Sequence, residues 1–205
     1  MVPDYWSTAR RSLARRDPVL AGIIRAHPDI ALRTRGDAFQ TLARSIVGQQ
    51  ISVKAADSVW RRMTEALDAV APVAVLGAGP ARLQACGLSW RKVEYIVDLA
   101  GHFASGTVDP ATWKGLEDEA VIEQLTSVRG IGRWTAEMFL IFNLMRPDVL
   151  PLGDLGLQRA VGLHYFSGRR VAPRTILRLA VKWEPWRSVA TWYLWRSLDP
   201  VPVEY

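Results

Sequence analysis

Two short segments hold the residues best suited to chemistry. In Pro151–Leu–Gly–Asp–Leu–Gly–Leu–Gln158 a single aspartate, Asp154, follows a Pro/Gly-rich loop and precedes an apolar run. A carboxylate placed there can stabilise positive charge developing on a substrate, and can orient or deprotonate a water. It also reads as a helix N-cap ahead of Leu155, worth about 1 kcal/mol. The two roles are compatible, because capping fixes the carboxylate in place. Of the neighbouring acids, Asp148 precedes a turn and is expected to face solvent, and Glu137 is expected to pair with an arginine.

The second segment is Leu125–Thr–Ser–Val–Arg–Gly–Ile–Gly–Arg–Trp–Thr–Ala–Glu–Met–Phe–Leu–Ile–Phe142. Gly130 and Gly132 flank Ile131 and give the backbone access to positive φ, as a tight hairpin between two helices requires. The amides that open the following helix would then face an anion. Arg129 and Arg133 flank the loop with charge, and the Thr135 hydroxyl is placed to bond back to the turn. Such a loop grips one phosphate without reading a base. On the Gly-x-Gly alone, a plain helix–turn–helix corner is an equal reading.

The elements that must position these residues are helical throughout. Asp17–Pro18 reads as an N-cap with proline at the first helical position. Asp37 with Gln40 reads as a capping box, followed by Phe39, Leu42, Ala43 and Ile46 at helical spacing. Similar stripes run through Val53–Ala56–Trp60–Met63–Leu67, Val93–Ile96–Val97–Ala100 and Trp134–Met138–Ile141–Met145. Pro173 and Pro185 open two more. Gly77–Ala–Gly–Pro80 and Pro151–Leu–Gly153 are breaks, and the stretch around Gly87 faintly echoes the one around Gly130. No strand alternation is convincing. The expectation is all-α, with about ten short helices.

Composition narrows the classes. The formal net charge is +6, and lysine occurs only at Lys54, Lys92, Lys114 and Lys182, so arginine supplies most of the charge. A basic, arginine-rich surface suits polyanions. The single cysteine, Cys86, excludes an intramolecular disulfide and a four-cysteine iron–sulfur cluster. His27, His102 and His164 are scattered and carry no zinc pattern. No apolar run approaches the roughly 20 residues that span a bilayer, and Val19 to Ile24 is too short for a signal-peptide core. An intracellular protein without a membrane partner is expected. Nine tryptophans exceed what core packing alone leads one to expect.

The hairpin and the downstream aspartate together resemble the helix-hairpin-helix DNA glycosylase superfamily, and within it the alkylbase branch, the 3-methyladenine DNA glycosylases II. Ala43–Arg–Ser–Ile–Val–Gly–Gln–Gln–Ile–Ser52, Leu88 to Ala100 and Trp183 to Trp195 extend the resemblance from about residue 37 to 197. It implies a two-lobed all-α unit over 1–205 with a DNA-binding cleft between the lobes. The central lobe is expected at 37–150, with the hairpin at 125–142, and the second lobe at 1–36 plus 155–205. It implies the short form, without the N-terminal β-rich domain of larger bacterial members.

It also implies roles. Asp154 is the catalytic carboxylate, and Trp134, Trp195 and Met138 line a base pocket whose aromatic faces suit a cationic alkylated purine. Gln49, Gln50, Arg129, Gly130, Ile131, Gly132, Arg133 and Thr135 bind DNA. A Na+ or K+ ion can sit on the hairpin carbonyls of Val128 and Gly130, with no catalytic metal or other cofactor. Gln50 stands where the family pattern has a leucine wedge, and Met138 where it has an aromatic, so both bear on substrate range. Members that also nick the strand carry a lysine two residues after the second hairpin glycine. Here that residue is Trp134, while Arg133 stays protonated, and Lys54 and Lys92 lie elsewhere. The expected function is monofunctional hydrolysis of alkylated bases of the 3-methyladenine and 7-methylguanine type from duplex DNA, by a monomer. The alternatives are a non-catalytic helix-hairpin-helix DNA-binding protein, a bifunctional lyase acting on oxidised bases, and a helical scaffold.

Overall fold

The computed structural model describes residues 2–34 and 36–198, which form eleven α-helices, two short 3-10 turns and no strand. The helices are α1 (Trp6–Arg16), α2 (Pro18–Ala26), α3 (Ala38–Gly48), α4 (Val53–Leu67), α5 (Pro72–Ala85), α6 (Trp90–Ser105), α7 (Asp118–Thr126), α8 (Arg133–Phe142), α9 (Leu155–Tyr165), α10 (Pro173–Ala180) and α11 (Arg187–Leu198). The starts are local. Side chains of Asp17, Asp37, Ser52, Ser89 and Asp154 each accept a backbone N–H of the turn they open, satisfying donors a helix leaves unpaired. The break expected at Gly77–Pro80 falls at Gly79, whose φ 74° and ψ 164° are not helical, so α5 is two helical segments meeting at a kink ahead of Pro80. No single helix is long and apolar enough to cross a membrane among the described residues.

The chain divides into two compact units, residues 36–139 and residues 2–34 with 140–198. The change falls inside α8, between Phe139 and Leu140, where the sequence reading put the end of the central lobe at 150. A helix can carry the chain from one core to another without any break, so no Gly or Pro marks the point.

In the 36–139 unit, Phe39, Phe103, Trp113 and Phe139 form a run of edge-on rings, with centroids 5.2, 6.5 and 5.3 Å apart in turn. This is the geometry aromatic quadrupoles favour. The buried Trp113 also donates its Nε1–H to Gln124 at 2.8 Å. The echo around Gly87 is real in conformation. Between α5 and α6, Gly87 has φ 98°, and between α7 and α8, Gly130 has φ 87°.

In the other unit α11 is buried on nearly every side, from Ser188 to Leu194 and again at Arg196. That explains why its sequence shows no amphipathic stripe. Trp6 stacks on Tyr193 at 5.8 Å. The fully buried Asp17 caps α2 and also accepts from Tyr165 Oη at 2.6 Å and Trp183 Nε1 at 2.9 Å, with Lys182 Nζ at 2.9 Å. Burial pushes the Asp17 carboxyl up, but these donors outweigh it and hold it below its ordinary value.

Candidate active site

The carboxylate singled out from sequence sits at the start of α9, where its Oδ1 accepts Leu157 N–H at 2.6 Å. Its loop is fixed along its length. Asp154 N–H bonds Pro151 O at 2.9 Å, and Gln158 Nε2 reaches back to Leu152 O at 2.8 Å. Upstream, Ser188 at the start of α11 donates through Oγ to Arg146 O at 2.6 Å and through its amide to Pro147 O at 3.0 Å, and its Oγ accepts Val149 N–H at 2.9 Å. Asp148 does not face solvent as a spectator. Its two oxygens take Arg187 Nε and Nη2 at 2.8 Å each, and Oδ1 also takes the Arg187 amide at 3.1 Å. A fork-to-fork pair of this kind is geometrically specific, and it ties the loop to α11.

The far end of α11 returns to the carboxylate. Trp195 Nε1–H donates to Asp154 Oδ1 at 2.7 Å. Its ring lies parallel to Phe142 at 5.8 Å and 15°, and Phe142 meets Trp192 edge-on at 5.9 Å. The sequence reading placed Trp195 as a wall for the base. The structure gives it a direct bond to Asp154, which their separation of 41 positions in the sequence concealed.

In the 36–139 unit the hairpin has the expected form, with one refinement: Gly130 alone takes positive φ, and Gly132 does not. Ile131 is buried and its amide closes the turn on Val128 O at 3.1 Å. Gly132 O accepts Ala136 N–H at 3.0 Å as α8 begins. A side chain at Gly130 is excluded twice over, since a Cβ would stand 2.2 Å from the Tyr95 ring. Asp98, one turn along α6, accepts the Arg129 amide at 2.9 Å and its Nε at 3.4 Å. Gln49 Nε2 donates to Gly130 O at 2.9 Å. Tyr95 and Asp98 are functional neighbours that sequence reasoning missed. Both stood in the Leu88–Ala100 segment, on one face of α6 by their i, i+3 spacing.

Gln49 also ends α3, and Gln50 after it is exposed with φ 59°. Lys92 Nζ donates to Val47 O at 2.7 Å, tethering the same helix end, and burial pushes this ammonium below its ordinary value. Arg133 is not a loose cation beside the loop. It pairs with Glu137 at 3.1 Å and, through both terminal nitrogens, with Glu119, and it holds the Glu119 carboxyl below its ordinary value. The Thr135 hydroxyl makes no bond back to the turn among the described residues. Trp134 is 42% exposed, and Met138 follows it one turn later on α8, half-buried. Among the described residues no group of three or more His, Cys, Asp or Glu side chains is placed to hold a metal ion.

The comparisons agree with this geometry. A family model described as "HhH-GPD superfamily base excision DNA repair protein" matches residues 43–185. The DNA-3-methyladenine glycosylase 1 of Schizosaccharomyces pombe is 32% identical over 167 residues, which make up 78% of this chain and 72% of that one. The crystal structure of a DNA-3-methyladenine glycosidase from Bacillus halodurans superposes with TM-score 0.88 at 35% identity, covering 97% of this chain and 92% of that one. An S. pombe 3-methyladenine DNA glycosylase in complex with abasic DNA superposes with TM-score 0.78 at 27% identity, covering 97% and 98%. Of other curated relatives the chain spans less: 66% of one from Bacillus subtilis and 61% of one from Escherichia coli. An all-helical chain with a glycine hairpin, an aspartate opening the helix that follows and a family match across most of its length belongs to the HhH-GPD superfamily of base excision DNA repair proteins.

Proposed function

We propose that this protein is a monofunctional DNA glycosylase that removes alkylated bases of the 3-methyladenine and 7-methylguanine type from duplex DNA. The observation that carries the reading is Asp154, a carboxylate held at a helix start by Leu157 N–H and by the indole N–H of Trp195, whose ring is stacked on Phe142. Alkylation at a ring nitrogen makes the purine a cation, so the C1′–N bond breaks with its electron pair leaving on the base, and positive charge develops on the sugar. Asp154 stabilises that charge. A water oxygen then bonds to C1′, and its proton passes to the carboxylate and on to solvent. The products are the free base and an abasic site.

Each unit contributes its own share. The hairpin amides of residues 132–134 bind a backbone phosphate. A Na+ or K+ ion fits beside them, since Val128 O and Gly130 O each accept one hydrogen bond and a carbonyl has two lone pairs. Gln50 fills the space left by the flipped base, and its amide can bond the partner base. Trp134 and Met138 offer the base an aromatic face and a polarisable thioether. Trp134 stands where a strand-nicking enzyme carries its lysine, which supports hydrolysis by water over Schiff-base chemistry. The protein acts as a monomer.

The test is release of base from methylated duplex DNA, followed by heating in alkali. Free methylated purines with strand breaks only after alkali are expected. Breaks before alkali, or covalent trapping on DNA by borohydride, would replace this reading with the bifunctional one.

A further inference from the structure

We propose that Trp195 is a positioning residue for Asp154: its indole N–H, and not only its ring, sets the plane of the carboxylate for hydrolysis. The inference rests on the glycosylase reading and deepens it. Leu157 N–H and Trp195 Nε1–H reach the same oxygen, Oδ1, at 2.6 and 2.7 Å. A single cap bond leaves the carboxylate plane free to rotate about it. A second donor, arriving from another helix, removes that freedom. Catalytic groups need this kind of support, since they must be held to within about 10–20° of the productive orientation. The indole suits the task because it is a donor only and does not titrate.

Two independent features show that the arrangement is built rather than incidental. The Trp195 ring is clamped parallel to Phe142, so the direction of its N–H is set by packing. Gly156, in the first turn of α9, leaves the room the contact needs. A Cβ there would lie 3.1 Å from Asp154 Oδ1, 3.1 Å from Trp195 Cδ1 and 3.2 Å from Trp195 Nε1. Gly156 is not among the positive-φ glycines, so space and not backbone conformation accounts for it.

Trp195→Phe keeps an aromatic ring against Phe142 and removes the donor. Gly156→Ala leaves both partners unchanged and crowds the bond between them. The experiment measures single-turnover base release from methylated duplex, and separately the affinity for duplex carrying a stable abasic-site analogue, for both variants, their combination and Asp154→Asn. Trp195→Phe is expected to release base about ten- to a hundredfold more slowly, the range for losing a hydrogen bond to a charged group. Gly156→Ala, which shifts the bond without removing the donor, is expected to slow release less. Both are expected to keep abasic-duplex affinity. The combination is expected to lose no more than the worse single variant, because both remove one interaction. Trp195→Phe releasing base at the wild-type rate while Asp154→Asn is inactive would overturn the positioning role and leave the glycosylase reading standing. Rate and abasic-duplex affinity falling together in both variants would overturn it in favour of a purely packing role. Asp154→Asn releasing base at the wild-type rate would overturn the reading on which the proposal rests.

Discussion

Gln50 holds φ 59°, a left-handed conformation that costs a residue with a side chain about 1–2 kcal/mol. Strain of this kind persists where the surroundings enforce it, and it clusters at working sites. Here the bonds of Gln49 to Gly130 O and of Lys92 to Val47 O hold the helix end just before Gln50. Gln50→Gly is therefore expected to raise stability by up to about 1 kcal/mol while weakening binding to lesion DNA, with urea unfolding and equilibrium binding read side by side. Equal affinity for both proteins would remove the plug role. Gly130 behaves in the opposite sense. Gly130→Ala is expected to lose about 1–3 kcal/mol of stability, from positive φ and the Tyr95 ring together, and DNA affinity with it. An alanine variant with the wild-type melting temperature and affinity would show that the hairpin tolerates a Cβ. At this scale the sequence was legible where chemistry is local: Asp154, the cap and the hairpin glycines are one contiguous pattern each. Trp195 on Asp154 and Gln49 on Gly130 were not, because periodicity says nothing about which distant side chain arrives.

α11 shows the same division at the scale of elements. Its opening residues Arg187 and Ser188 hold the loop ahead of Asp154, and Trp195 near its other end holds the carboxylate. Pro185 marked its start in the sequence, but its burial on nearly every side was not legible, because no single apolar stripe sets out an inner face. Asp148 illustrates the cost of local reading. A turn position suggested solvent, and the Arg187 fork that engages it lies in another helix. The Asp17 node carries a pH prediction. The folded carboxyl lies below its ordinary value, so the unfolded chain binds the proton more readily. The stabilisation is present above the ordinary carboxylate range and is lost as pH falls through the lower, folded value. Unfolding free energy of the wild type is thus expected to fall more steeply below about pH 4 than that of Asp17→Asn. Parallel curves would mean that Asp17 is not the group responsible. At neutral pH, Asp17→Ala is expected to cost about 3–5 kcal/mol, as for breaking a buried pair from one side.

The whole molecule is basic, and the charge is unevenly distributed. From Leu155 to Trp183 no acidic residue occurs, while Arg159, Arg169, Arg170, Arg174 and Arg178 are all exposed. A net charge of +6 and this run lead to DNA affinity that falls steeply with salt. Replacing Arg170 and Arg174 by glutamine is expected to flatten the salt dependence by about one unit of log–log slope per phosphate contact removed. An unchanged slope would mean that this run stays in solvent. Fold class and helix count were legible in the sequence, since capping residues and Gly/Pro breaks mark most helix ends. The division into units was not, because it passes through the uninterrupted α8.

Single-turnover release of methylated purine by wild type and by Asp154→Asn, with lesion-duplex affinity measured on both, bears most directly on the central claim. An amide keeps the size and the cap's acceptor oxygen but carries no charge. The account requires release to fall by at least about a hundredfold, the scale of losing an electrostatic group at a reacting centre, while the duplex is still bound. An Asp154→Asn protein that binds lesion DNA and releases base as fast as wild type would contradict it.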